Sequence, residues 1–210
     1  MARSKSSRRW LLEHFDDPYV KQAQAEGWRS RAVFKLKEIQ ERDALIRPGM
    51  VLIDLGAAPG GWSQMARKLM GNSGTVIATD ILQMEPIANV SFVHGDFRED
   101  SALLAIEQHL NETSLDLVMS DMAPNMSGTE SVDQARTIHL AELALDFARK
   151  WLKPGGDFVV KLFQGEQFDD FVRNARVSFA KTHVRKPKAS RPRSREVYLV
   201  GKGFKKPTHT

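Results

Sequence analysis

The sequence contains no cysteine, which excludes disulfides and thiolate metal sites and agrees with a reducing compartment. Its six histidines are scattered without metal-ligand spacing, so no metal cofactor is expected. No apolar run approaches the roughly 18 residues of a membrane span. The opening MARSKSSRRWLLEHF has too short an apolar patch, Trp10, Leu11 and Leu12, for a secretory signal. Glu13, Asp16 and Asp17 count against a mitochondrial presequence, so the expected location is the cytoplasm. Also missing are an internal repeat, a G-x-x-x-x-G-K-[ST] phosphate loop and a G-x-G-x-x-G dinucleotide fingerprint.

What is present is a chain of 210 residues, 41% hydrophobic, enough for one good core and requiring no second domain. The net charge of +5 conceals a segregation. Residues 1–37 hold nine Lys/Arg against four Asp/Glu, residues 38–180 hold twelve against twenty-one, and residues 181–210 hold ten against one. An acidic centre with two basic ends fits contact with nucleic acid phosphates. Solvated ends that aid solubility are the plainer alternative.

Residues 50–63, MVLIDLGAAPGGWS, organise the remainder. Residues 51–55 are an apolar run with one internal Asp, suited to a strand buried on both faces of a parallel sheet. Small residues follow, Gly56 to Gly61, and a helix reads from Trp62 to Met70. Strand, small-residue turn and helix N-terminus form the crevice-side unit of an α/β sheet. The G-x-x-x-G-G spacing and Pro59, which lacks an N–H, suit a nucleoside without phosphates, of which S-adenosylmethionine is the common one. An ordinary glycine-rich turn has the same spacing.

In chain order, residues 1–27 read as a basic helical arm in which Trp10, Phe15 and Tyr19 anchor to the core or stack on bases. Residues 29–39 read as a helix whose Val33, Leu36 and Ile39 form an apolar stripe, with Lys35 pointing away from it. Strands are expected at 75–79, 90–94, 115–120 and 157–163, with helices at 101–110, 132–152 and 168–177. Residues 153–156, Lys-Pro-Gly-Gly, read as a helix stop. Asp80 and Asp96 each follow a strand, placed to accept from ribose hydroxyls and an adenine amino group respectively, although either suits a loop or N-cap. Lys161 interrupts the apolar run DFVVKLF, and buried Lys is rare unless paired, so a partner or a function is implied. A closing strand pair is expected at 182–185 and 196–200. The basic link between them, KPKASRPRSR, is too polar for core and has the composition of an RNA-contacting loop. The expected organisation is an arm over 1–27, one doubly wound α/β domain over 28–201 and a basic tail over 202–210.

RSRAVFKL with Lys35, DLGAAPGGWS, SDMAPN with Asp121, VVKLFQG with Lys161 and SREVYLV with Glu196 together resemble the FtsJ/RrmJ ribosomal RNA 2′-O-methyltransferases. The resemblance spans essentially the whole chain, departing at Trp28, where the family motif GYRSRA has Tyr. It implies a Rossmann-like methyltransferase fold, a mostly parallel seven-stranded sheet with helices on both faces and an antiparallel last strand. It also implies S-adenosylmethionine as donor and a catalytic tetrad of Lys35, Asp121, Lys161 and Glu196. Cofactor contacts are expected from Gly60, Trp62 (mainly its backbone), Asp80, Asp96 and Asp121. The implied substrate is a uridine ribose in the 23S ribosomal RNA of the large subunit, acted on by a monomer. A transfer RNA methyltransferase of the same family is the nearest alternative. A small-molecule methyltransferase would not need basic ends or a tetrad, and a non-catalytic RNA-binding module would not need Lys161.

Overall fold

In the computed structural model, residues 17–110 and 114–205 are described. The elements are α1 (Pro18–Ala25), α2 (Val33–Asp43), β1 (Val51–Leu55), α3 (Gly61–Met70), β2 (Thr75–Asp80), β3 (Ser91–His94) and α4 (Asp100–Leu110). They continue as β4 (Leu115–Ser120), α5 (Glu130–Trp151), β5 (Leu152–Phe163), α6 (Phe168–Ser178), β6 (Phe179–Arg185) and β7 (Glu196–Phe204).

The strands form one seven-stranded sheet in the order β3-β2-β1-β4-β5-β7-β6. Strands β1 to β5 run parallel, and β7 lies antiparallel between β5 and β6. The fold is therefore the mostly parallel, Rossmann-like α/β sheet expected from the sequence. Strand order reverses between β1 and β4, which opens a crevice at the carboxyl ends of the parallel strands.

Alternation along each strand sends side chains to two layers. Leu52, Val76, Leu117, Met119, Val159, Tyr198 and Val200 pack with Val33, Leu36 and Ile39 of α2 and Met65 and Ala66 of α3. Ile53, Ile77, Val118, Phe158, Val160, Leu162 and Leu199 pack with α4, α5 and α6 on the opposite face. Lys161 follows Val159 by two residues, so it points to the α2/α3 face at the crevice end of β5.

Several segments depart from the sequence reading. The helix expected over 29–39 is Val33–Asp43, with residues 29–32 in the turn before it, and β6 begins at Phe179 and not at 182. Residues 153–156 continue β5: Leu152 pairs with Leu115, and a register shift between Leu115 and Leu117 absorbs the Pro-Gly-Gly irregularity. At the other end, β7 runs to Phe204, so residues 202–204 belong to the sheet and not to a tail. Asp157 holds them there, accepting from Lys202 Nζ and from the Gly203 N–H at 3.0 Å. Finally, the link 186–195 is not all solvent: Ala189 and Ser190 are buried. Glu38 accepts from the N–H groups of Lys188 (2.8 Å) and Ala189 (2.9 Å), while Arg31 donates to the Ala189 carbonyl. Of the N-terminal arm, Tyr19 on α1 packs against Phe34, with ring centroids 5.5 Å apart. Trp10 and Phe15 lie outside the described residues.

Candidate active site

β5 and β7 pair antiparallel with Lys161 opposite Tyr198 and Phe163 opposite Glu196, and paired residues project to the same face. This register sets Lys161, Tyr198 and Glu196 side by side under α2. Lys35, on the first turn of α2, does not point into solvent away from the apolar stripe as expected but reaches down to them: its Nζ lies 2.8 Å from Glu196 Oε2 and 5.8 Å from the Tyr198 ring centroid. Asp121 is the residue immediately after β4, the strand beside β5.

The resulting network is buried and fully engaged. Lys161 Nζ donates to the Asp121 carbonyl and lies 3.2 Å from Asp121 Oδ1. That same oxygen accepts from the Tyr198 hydroxyl at 2.7 Å. Glu196 Oε1 accepts from Ser190 Oγ at 2.7 Å, and the Glu196 carbonyl accepts from Lys186 Nζ at 2.6 Å. Lys161 is 7% exposed and Glu196 9%, values rare for these residue types unless paired. Burial alone would raise the Asp121 carboxyl, yet the Lys161 and Lys35 charges and the Tyr198 hydrogen bond outweigh it and hold the group ionised, below the ordinary carboxylate range. Burial pushes the Tyr198 phenol well up, helped by the negative charges of Asp121 and Glu196, so it stays a donor. Burial also lowers Lys186, against the pull of Glu196. All four residues of the expected tetrad thus converge at the crevice.

The glycine loop borders this network at Gly56, where a Cβ would meet the side chain of Met122, the residue after Asp121. Gly60 caps α3 at φ +106°, a conformation that favours glycine. A Cβ there would come within 2.7 Å of Met84 Sδ and 2.9 Å of Ile87 Cδ1. Arg29 clamps the same region by donating to the carbonyls of Glu85 (2.5 Å) and Pro86 (2.7 Å). Asp80, ending β2, is held open towards the crevice by the N–H groups of Ala58 (2.9 Å) and Leu82 (2.8 Å), one on each carboxylate oxygen. Asp96 lies beyond the end of β3 and is occupied by Arg98, which donates to both carboxylate oxygens and holds the group below its ordinary range. The Trp62 indole is buried, donating to the Ala32 carbonyl at 2.9 Å, so only its backbone faces the loop. At Trp28 the indole donates to Glu26 at 2.8 Å under Lys68, away from the tetrad.

Two further residues belong to the site. Tyr198 reads in sequence as one more apolar position of EVYLV, and only its hydroxyl in a buried strand signals more. Asp54 is the internal Asp of the first strand, 1% exposed and bonded by Ser63 Oγ at 2.7 Å. Burial pushes its carboxyl up to about 7, reinforced by Asp121 and Asp80 and opposed by Ser63.

Residues 28–204 match the family described as FtsJ-like methyltransferases. The chain belongs to that family. Among curated relatives, the ribosomal RNA large subunit methyltransferase E of Stenotrophomonas maltophilia (strain K279a) is 61% identical over 201 residues, 96% of each chain. The protein of that name from Xanthomonas campestris pv. campestris (strain B100) is 60% identical over 96% of each chain. The crystal structure of a putative ribosomal RNA methyltransferase from Plasmodium falciparum superposes with a TM-score of 0.77 at 28% identity. That match covers 84% of this chain and 98% of the other. The chain is accordingly a methyltransferase with the fold of that family.

The raised Asp54 gives the site a pH signature. Folding favours its protonated form, so its contribution to stability is complete below the unfolded pKa near 4 and is lost as pH rises through about 7. Urea unfolding of wild type and Asp54→Asn between pH 4.5 and 8 should show the wild-type protein losing ground to the variant as pH rises. A difference independent of pH would contradict the raised carboxyl.

Proposed function

We propose that this chain methylates the ribose 2′-hydroxyl of a uridine in 23S ribosomal RNA, in the A-loop of the peptidyl-transferase region, with S-adenosylmethionine as donor. One observation carries the reading: a buried lysine, held by a carboxylate and flanked by a second Lys–Glu pair, stands beside a glycine loop without phosphate-binding features. The names of the curated relatives support an RNA of the large ribosomal subunit as substrate. The dense positive charge of residues 181–210 supports a polyanionic partner. The enzyme acts as a monomer in the cytoplasm.

The residues present fit the donor. Asp80 is preorganised by two amides and keeps lone pairs for ribose hydroxyls. Ile81 and Leu82 follow it, 65% and 63% exposed, as an apolar wall for a base. Asp96 retains acceptor capacity beyond Arg98 for an adenine amino group. Gly60 and the Trp62 backbone shape the loop, and the carboxylates of Asp80 and Asp121 suit a cationic ligand. Bound there, the donor supplies an electrophilic sulfonium methyl.

The chain's own residues handle alignment and the proton. A neutral amine has two N–H bonds and one lone pair. The Lys161 ammonium becomes such an amine on releasing one proton: the Asp121 carbonyl and Oδ1 match its two remaining N–H bonds, leaving its lone pair for the hydroxyl proton. Tyr198 holds Asp121 in place, and Glu196, anchored by Ser190, positions Lys35 to favour the ribose oxygen as it loses its proton. Alignment supplies up to ~7–11 kcal/mol and a positioned base on the order of 10²–10⁴-fold.

Mapping ribose methylation across cellular RNA with and without this protein should reveal one lost mark, on a 23S uridine; loss on a transfer RNA, or none, would overturn the assignment. Asp80→Ala should weaken S-adenosylmethionine binding by ~1.5–3 kcal/mol in calorimetry. Unchanged affinity would remove Asp80 from the donor site.

A further inference from the structure

Among the described residues, Phe163, the last residue of β5, is an aromatic that core packing does not explain. Its register opposite Glu196, two residues beyond Lys161, puts it on the face that carries the tetrad, at the crevice edge. It is half-buried, and among the described residues it belongs to none of the three apolar clusters. It instead lines a cleft of about 360 Å³ whose other walls include Met126, Glu130, Asp133, Gln134 and Arg195.

The cleft is built and not incidental. Gln134 Nε2 donates to the carbonyls of Phe163 (2.8 Å) and Glu166 (3.1 Å), tying the end of β5 to α5. Asp133 accepts from the N–H groups of Ser127 (2.7 Å) and Gly128 (3.0 Å), fixing the loop that carries Met126. Met126 is left 60% exposed on this anchored loop, open to contact from the cleft. At the rim Arg195 pairs with Glu130, and both are exposed, so the contact is weak enough to exchange. A polarizable thioether, a phenyl ring and an exchangeable guanidinium at the edge match a nucleobase and its phosphate.

We propose that this cleft seats the nucleobase adjacent to the methylated ribose, stacked on Phe163 against Met126, with Arg195 leaving Glu130 for the connecting phosphate. The inference rests on the RNA reading of the site. It explains how a methyltransferase that must present one ribose to Lys161 holds the neighbouring residue of the strand still.

The test uses short target RNAs, intact or lacking one base immediately 5′ or 3′ of the methylated nucleotide. Methylation of the intact RNA by wild-type protein checks the functional reading separately. One of the two abasic RNAs should lose roughly five- to hundredfold in kcat/KM, carried mostly by KM, as expected for one stacked base. Phe163→Leu, with folding verified by thermal denaturation, should lose a similar factor on intact RNA and nothing further on that abasic RNA, and Phe163→Trp should restore binding. Arg195→Gln should flatten the log–log salt dependence of RNA binding by up to ~0.7. Full activity of Phe163→Leu, or losses that multiply on both abasic RNAs, would overturn the proposal. So would an unchanged salt slope for its phosphate arm.

Discussion

The contact between Lys161 and Asp121 is what the rest of the site depends on. A lysine in the middle of an apolar strand is tolerable only because a carbonyl and a carboxylate of one residue receive its N–H groups. Asp121 in turn stays ionised in a buried place only because two ammonium groups and a phenol surround it. Removing one partner of such a pair leaves an uncompensated buried charge, typically at a cost of ~3–5 kcal/mol. Catalytic geometry and local stability are therefore set by the same bonds. Tyr198 extends the set by donating to Asp121, and beside it Ser190 and Lys35 both donate to Glu196.

The sheet explains why these residues meet. Parallel strands bring the ends of β1, β2 and β4 to one crevice, and the antiparallel β7 feeds its first residues into that crevice from the opposite direction. The chain distance between Lys35 and Glu196, 161 residues, is closed by packing α2 onto the sheet through Val33, Leu36 and Ile39. The arginines of the basic link do not all stand free for a polyanion: Arg195 is engaged with Glu130, and Arg191 lies 3.6 Å from Asp17. The contacts of Ala189 with Glu38 and Arg31, and of Ser190 with Glu196, order the link before any partner arrives, lowering the entropy that binding would otherwise have to overcome.

Much of this was legible in the residues. Hydrophobic periodicity located β1 to β4 and most helices to within a residue or two, because each is flanked by turn chemistry, whereas β5 begins five residues before the apolar run that marks it. Lys161 stood out as a charge in an apolar run. Lys35 did not: on its helix it looks like any solvated lysine, and it took the five-motif resemblance to single it out. Tyr198 was hidden by its own hydrophobicity, and Asp54 was visible but had no assigned partner until Ser63 was seen above it. The misread segments share a cause. Pro-Gly-Gly at 154–156 and the polar link at 186–195 carry turn composition, but β5 continues through the first and Glu38 draws part of the second towards the core.

The account stands on Lys161 as the group that takes the proton. Arginine keeps the positive charge and its donors at that position but cannot release a proton at accessible pH. Single-turnover methyl transfer to target RNA by Lys161→Arg, with S-adenosylmethionine affinity and folding checked beside it, separates charge from proton transfer. The account predicts loss of on the order of 10²-fold or more in the transfer step with donor binding retained. A variant that transfers at nearly the wild-type rate would contradict it.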